Sequence, residues 1–116
     1  LTKNLINGSL KKFNNIKKDI TIIKVPGTFE IPVVISKNLK RYDGFVALGC
    51  VIKGKTPHFD FICNATFISL SNLSTKSKKP IGNGIITALN MSQAKERSNL
   101  KGKEAADAVL EVIKNG

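Results

Sequence analysis

Apolar and polar positions along the chain follow two different periods. Short apolar or alternating runs predict three strands, the last weakened by two glycines, at residues 19–25, 45–51 and 81–87. Apolar residues at helical spacing predict helices at residues 1–13, 29–39, 57 to about 73, 91–97 and 103–114. Helices and strands that alternate in this way are typical of an α/β domain whose parallel sheet is covered by helices.

The length of 116 residues predicts one domain, spanning residues 1–116, and no repeat or linker interrupts it. A lysine- and serine-rich stretch at residues 74–79 predicts a loop. The predicted order of elements opens on a helix, whereas an α/β domain normally opens on a strand. We therefore expect that this chain lacks the first strand of its domain, and that such a loss would destabilise it.

The composition raises a nucleic-acid hypothesis, because the net charge is +11. Only Arg41 and Arg97 among the 19 basic residues are arginine, and the lysines are scattered without interleaved aromatic residues. This favours a solvated lysine surface over a nucleic-acid site. We see no membrane-spanning run and no signal peptide, and Cys50 and Cys63 are predicted to be reduced thiols of a cytoplasmic protein, although a disulfide between them stays open.

The chemistry concentrates where the second predicted strand ends. The apolar run at residues 44–52 leads into the polar turn of residues 53–56, and Pro57 then suits the first turn of a helix. Ligands of open α/β sheets bind at the carboxyl ends of strands, and the amide groups of a helix start suit a phosphate. His58, the only histidine, would add an imidazole able to accept and donate protons near neutral pH. The pattern predicts a catalytic site.

Several collinear motifs closely resemble those of the lumazine synthase family. They are VPGTFEIP (25–32), LGCVIKGKTPHFDFICN (48–64), PIGNGIIT (80–87), QAKER (93–97) and KGKEAADA (101–108). The resemblance implies a flavodoxin-like three-layer α/β sandwich with a parallel sheet, no metal and no organic cofactor. It also implies a homopentamer with active sites between subunits, and in some members an icosahedral shell of 60 subunits.

The implied reaction condenses 5-amino-6-(D-ribitylamino)uracil with 3,4-dihydroxy-2-butanone 4-phosphate. The product is 6,7-dimethyl-8-ribityllumazine, in the penultimate step of riboflavin biosynthesis. His58 matches the catalytic histidine of the family. Lys55 and Thr56 match its phosphate-binding turn, although Thr56 is equally suited to capping a helix. Arg97 matches an arginine that reaches the same phosphate from the neighbouring subunit.

The remaining expected site residues bind the pyrimidine substrate. Thr28, Phe29 and Glu30 match the segment that contacts the ribityl chain and the ring, although by themselves Phe29 could be core and Glu30 could complement a helix start. Cys50, Val51 and Ile52 match a strand end whose backbone groups contact the ring, so Cys50 is not expected to be a nucleophile. Asn83 departs from the family pattern, because many members carry a phenylalanine there that comes from the adjacent subunit.

Other functions stay open at this point. An archaeal-type riboflavin synthase shares the fold, a basic nucleic-acid-binding module would explain the charge, and a catalytically inactive shell subunit would explain Asn83. The motif TPHFD (56–60) and Arg97 favour a phosphorylated substrate, and so favour lumazine synthase.

Overall fold

A computed structural model describes residues 1–13, 19–54 and 57–115. A single 3₁₀ turn over Thr28–Glu30 leads directly into the second helix. The helices are α1 (Thr2–Phe13), α2 (Ile31–Lys37), α3 (His58–Ser77) and α4 (Met91–Asn115), and the strands are β1 (Phe45–Ile52) and β2 (Ile81–Ala88). The second and third predicted strands are thereby confirmed.

The two strands form a parallel sheet with α3 as the connection between them. Phe45 lies opposite Ile81, and the register continues without a bulge to Ile52 opposite Ala88. Parallel strands bury both faces, which fits the apolar and β-branched composition of both segments. Because the strands run in the same direction, their carboxyl ends lie side by side.

Helices cover both faces of this sheet. On one face, α2 and α3 pack over a core formed by Ile31, Ile35, Ala47, Leu70 and Ile85. On the other face, α1 and α4 pack over Leu5, Ile86, Ala88 and Ala94. Successive strand residues therefore alternate between two cores, and the layers are helix, sheet, helix. This arrangement confirms the α/β class and is consistent with the flavodoxin-like sandwich expected from the resemblance.

Helices α1 and α4 approach each other so closely that their backbones touch at two glycines. A Cβ atom built at Gly8 would lie 2.2 Å from the carbonyl oxygen of Asn99, and one built at Gly102 would lie 2.2 Å from that of Leu5. The Ser9 hydroxyl donates to the carbonyl oxygen of Gly102 at 2.8 Å. The small residues of the two helices therefore set the thickness of this layer.

The prediction of a strand at residues 19–25 is wrong. These residues have no regular secondary structure, and Ile20, Ile22 and Ile23 are 41%, 57% and 48% exposed. Only Val25, at the end of the segment, packs against the core. A strand requires a hydrogen-bonded partner strand, and the sheet of the described residues consists of β1 and β2 alone. The segment therefore has the composition of a strand without the partner that would make it one.

The prediction of two helices after β2 is also wrong, because α4 is continuous from Met91 to Asn115. In the sequence, the stripe of large apolar residues is interrupted between the two predicted helices, where small residues take their place. Ser98 and Gly102 are buried there because α1 crosses at this point. Similarly, α3 continues into the predicted loop and ends at Ser77, followed by Lys78 in the left-handed conformation (φ 61°) that commonly terminates helices.

None of the helices in the described part of the chain is both long enough and apolar enough to cross a lipid bilayer. Even α3, with 20 residues, carries polar residues along its whole length.

Candidate active site

The carboxyl ends of β1 and β2 form one edge of the sheet, which we call the carboxyl edge (residues 50–52 and 86–88). The backbone N–H of Lys53 donates to the carbonyl oxygen of Ala88 at 2.8 Å and continues the pairing beyond β1. Cys50, Val51 and Ile52 are half-buried and lie opposite Ile86, Thr87 and Ala88. The segments that follow β1 and β2 begin at this edge, which is where open α/β sheets usually bind ligands.

His58 is the first residue of α3, the helix that follows β1 in the chain, and its side chain is exposed. Pro57 precedes it as the N-cap and has no side-chain capping hydrogen bond. The first N–H groups of a helix have no partner within the helix, and the helix dipole makes this end attractive to anions. Lys55 and Thr56, the expected phosphate-binding residues, lie outside the described residues.

The 3₁₀ turn Thr28–Glu30 contacts both β1 and α3 near the carboxyl edge. The N–H of Glu30 donates to the carbonyl oxygen of Gly27 at 3.1 Å and closes the turn. Thr28 and Glu30 are half-buried, whereas Phe29 is 55% exposed. The structure therefore does not place Phe29 in the core of this chain. It brings the turn against β1 beside Gly49, next to the carboxyl edge, and against residues 65–69 of α3.

Arg97 projects from α4 toward the end of β2. Its Nη1 donates to the carbonyl oxygen of Thr87 at 3.0 Å, and Thr87 is the register partner of Val51. The Arg97 side chain is exposed, and its guanidinium group has five N–H donors in all. No local pattern in the sequence indicates that the Thr87 carbonyl group anchors this side chain.

Asn83 lies away from the carboxyl edge of its own chain. It pairs in register with Ala47 and stands three residues before Ile86, a distance of about 10 Å along a strand. The Asn83 side chain is exposed, and its Oδ1 accepts a hydrogen bond from the N–H of Ile85 at 3.1 Å. Within one chain, the structure therefore does not bring Asn83 together with the other candidate residues.

A cleft of about 210 Å³ adjoins the 3₁₀ turn, between residues 29–33 and residues 65–69 of α3. The hydroxyl group of Thr66 is buried at the cleft wall and has no hydrogen-bond partner in the described part of the chain. Sequence reasoning missed Thr66, because it lies at a core-facing position of an apolar helix. A larger cavity of about 300 Å³ lies at the amino end of β2, near Lys79 and Val109, and is therefore remote from the carboxyl edge.

The family model for 6,7-dimethyl-8-ribityllumazine synthase matches residues 1–115. The chain belongs to this family. Nothing in the comparisons favours an archaeal-type riboflavin synthase or a nucleic-acid-binding module.

Three relatives carrying the name 6,7-dimethyl-8-ribityllumazine synthase illustrate the similarity. The protein of Blochmanniella pennsylvanica is 46% identical over 124 residues, which cover 97% of this chain and 78% of the relative. That of Buchnera aphidicola subsp. Schizaphis graminum is 44% identical over 123 residues, covering 97% of this chain and 77% of the relative. The protein of Nitratidesulfovibrio vulgaris (strain Miyazaki F) is 44% identical over 104 residues, covering 84% of this chain and 67% of the relative.

Both cysteines of this lumazine synthase family member are free thiols. Cys63 is buried in α3, and Cys50 is half-buried against the core that α1 and α4 form with β2. Burial raises the pKa of both thiols, and Asp60 adds to the effect at Cys63. A thiol with a raised pKa is mostly protonated at neutral pH and is a poor nucleophile.

Replacing Cys50 by alanine should therefore change the turnover number by less than about threefold, since only the backbone at this position is expected to meet the ring. The measurement is steady-state lumazine formation, with unfolding in urea to correct for lost packing. A loss of turnover comparable to that of a catalytic residue, about 10²-fold or more, in a folded Cys50→Ala protein would contradict this.

Proposed function

We propose that this chain is a lumazine synthase that condenses 5-amino-6-(D-ribitylamino)uracil with 3,4-dihydroxy-2-butanone 4-phosphate to give 6,7-dimethyl-8-ribityllumazine. The observation that carries the proposal is the family match over residues 1–115, which includes every candidate residue at the carboxyl edge. This condensation is the penultimate reaction of riboflavin biosynthesis, and it releases phosphate and water. It needs groups that bind a phosphate and a group that moves protons.

His58 is proposed to move the protons. Imine formation, phosphate elimination and ring closure each transfer a proton near neutral pH, which suits an imidazole. The position of His58 at the first turn of α3 supports this role, because the same helix start can bind the phosphate of the second substrate. Lys55 and Thr56 immediately precede this turn and are proposed to bind that phosphate.

The pyrimidine substrate is proposed to bind against the 3₁₀ turn Thr28–Glu30 and the end of β1. Thr28, Phe29 and Glu30 would contact its ribityl chain and ring, and the backbone of residues 50–52 would contact the ring edge. The contact of the turn with β1 supports this placement, as does the exposure of Phe29 next to it.

The test of the reaction is direct. The two substrates are mixed with the protein, and lumazine fluorescence is followed over time. Product formation above the uncatalysed rate is expected. A folded, assembled protein that forms none would refute the proposed activity.

We infer that the working protein is a homo-oligomer and propose a pentamer, with a 60-subunit shell as a further assembly. Large apolar side chains are exposed on α2 and α3: Val33 at 57%, Phe61 at 67% and Ile68 at 61%. Such residues on one layer suit an interface. The remote position of Asn83 in its own chain supports a role in a neighbouring site. Sedimentation equilibrium would show the mass of five chains.

The proposed compartment is the cytoplasm, which the two free thiols support because disulfides are rare there.

Arg97 is proposed to bind the phosphate of the butanone substrate, in the site of a neighbouring subunit. Arg97→Ala should raise the KM for this substrate about 10- to 100-fold, the usual range for hydrogen bonds to a charged group. The KM for the pyrimidine substrate should change little. Arg97→Lys is the matched variant, and it should recover only part of the loss because an ammonium cannot form the bidentate contact.

Steady-state kinetics with each substrate varied in turn measures this selectivity. Equal increases in both KM values, or full recovery in Arg97→Lys, would count against a guanidinium–phosphate contact.

A further inference from the structure

Gly49 lies inside β1, where glycine is normally unfavourable. Glycine loses more conformational freedom in a strand than other residues and has no side chain to pack, so it often marks the close approach of another segment. Gly49 pairs in register with Ile85 and immediately precedes Cys50 at the carboxyl edge. It lies on the face of β1 that α2 and α3 cover.

The space where a side chain would stand at Gly49 is occupied by the 3₁₀ turn. A Cβ atom built at Gly49 would lie 3.1 Å from the hydroxyl oxygen of Thr28 and 3.7 Å from Cδ1 of Ile31. The first distance is shorter than an ordinary van der Waals contact, so the Thr28 side chain would have to move by a few tenths of an ångström. The turn thus rests directly on the backbone of β1.

The turn itself is closed by backbone hydrogen bonds. Gly27 precedes it in an extended conformation, the Glu30 N–H donates to Gly27, and the Ile31 N–H donates to Thr28. The cap has no side-chain hydrogen bond. Contact with β1 and α3 therefore sets the height of the turn above the sheet.

We propose that Gly49 is a positioning residue: its missing side chain sets the distance between the turn Thr28–Glu30 and the carboxyl edge of β1. It thereby fixes where Phe29 and Glu30 meet the pyrimidine substrate. This inference rests on the proposed function of the turn. Displacement of a binding group by 1 Å can cost about 100-fold in rate, so a shift of a few tenths has a measurable effect.

The test is a graded series with a suppressor. Gly49→Ala should raise the KM for the pyrimidine substrate about 3- to 10-fold, and Gly49→Val should raise it more, because its methyl groups also meet Ile31. The KM for the butanone phosphate should stay within about twofold of the parent.

The suppressor is Thr28→Ala, which removes the hydroxyl that the new Cβ would meet. Comparison is made between the double variant and Thr28→Ala alone, as in a double-mutant cycle. The effect of Gly49→Ala should shrink to within about twofold in this background. An effect of the same size in both backgrounds would overturn the proposal, as would equal increases in both KM values.

A second measurement does not depend on activity. The Glu30 amide closes the turn, and its hydrogen exchange should be faster in Gly49→Ala than in the parent protein, both without substrate. In the double variant, the exchange rate should return to that of Thr28→Ala alone. The control is Gly44→Ala, immediately before the same strand, where the new Cβ meets side-chain carbons of Val109, Ile113 and Pro80. It should leave exchange at Glu30 unchanged.

The two readouts separate this proposal from the proposed reaction. If no variant and no parent protein forms lumazine, the reaction is wrong, and hydrogen exchange still decides whether Gly49 positions the turn. Unchanged exchange at Glu30 in both Gly49→Ala and Gly49→Val would overturn the positioning role, whatever the activity.

Discussion

Replacing His58 by alanine should lower the turnover number for lumazine formation by about 10²–10⁴-fold, the usual contribution of one general acid–base group. The variant should remain folded, because the side chain is exposed at the start of α3 and contributes nothing to the core. The measurement is kcat with both substrates saturating. Binding by the helix start should persist, so the KM for the butanone phosphate should change less than kcat.

The control for His58→Ala is Asn72→Ala, an exposed position farther along the same helix. It should leave kcat within about twofold of the parent, as expected for surface substitutions. If His58→Ala is folded and turns over as fast as this control, the imidazole has no part in the chemistry.

Replacing Gly102 by alanine should have the largest effect on the stability of the fold. Gly102→Ala places a Cβ atom 2.2 Å from the carbonyl oxygen of Leu5, and backbone cannot rotate away as a side chain can. Alanine gains about 1 kcal/mol of helix propensity over glycine, but overpacking costs about 1–3 kcal/mol and more where backbone must move. We expect a net loss of about 2 kcal/mol or more in the free energy of unfolding.

Urea unfolding followed by circular dichroism measures this loss. Gly54→Ala is the matched control, because nothing lies within 4 Å of a Cβ atom built there. It should be neutral or slightly stabilising. A Gly102→Ala protein as stable as this control would show that α1 and α4 are not packed as closely as described.

The sequence allowed most of this fold to be predicted, for reasons that particular residues explain. The runs that became β1 and β2 are covered by helices on both faces, so their apolar character depended little on context. Pro32 and Pro57 marked the starts of α2 and α3 correctly, because proline suits the first turn of a helix.

The failures come from contacts distant in the sequence. Residues 19–25 have strand composition, yet composition cannot supply a hydrogen-bonding neighbour. The continuity of α4 was missed because Ser98 and Gly102 look like the end of a helix until α1 is placed against them. For such small residues, only the tertiary structure distinguishes a close helix crossing from a break.

The candidate site could be predicted in part. A strand, a polar turn and a helix start follow each other in the sequence, so their meeting at one edge follows from local order. The anchoring of Arg97 at Thr87, the cleft beside Thr66 and the contact of the turn with Gly49 depend on how separate elements pack. No local pattern encodes them.

The crossing of α1 and α4 also affects how the chain can be made. The hydrogen bond between Ser9 and Gly102 joins positions 93 residues apart. At roughly 5–20 residues per second, a ribosome needs roughly 5–20 s to synthesise that interval. During translation, α1 is therefore synthesised well before α4 and its apolar side stays uncovered in the meantime, which suits it to binding a chaperone.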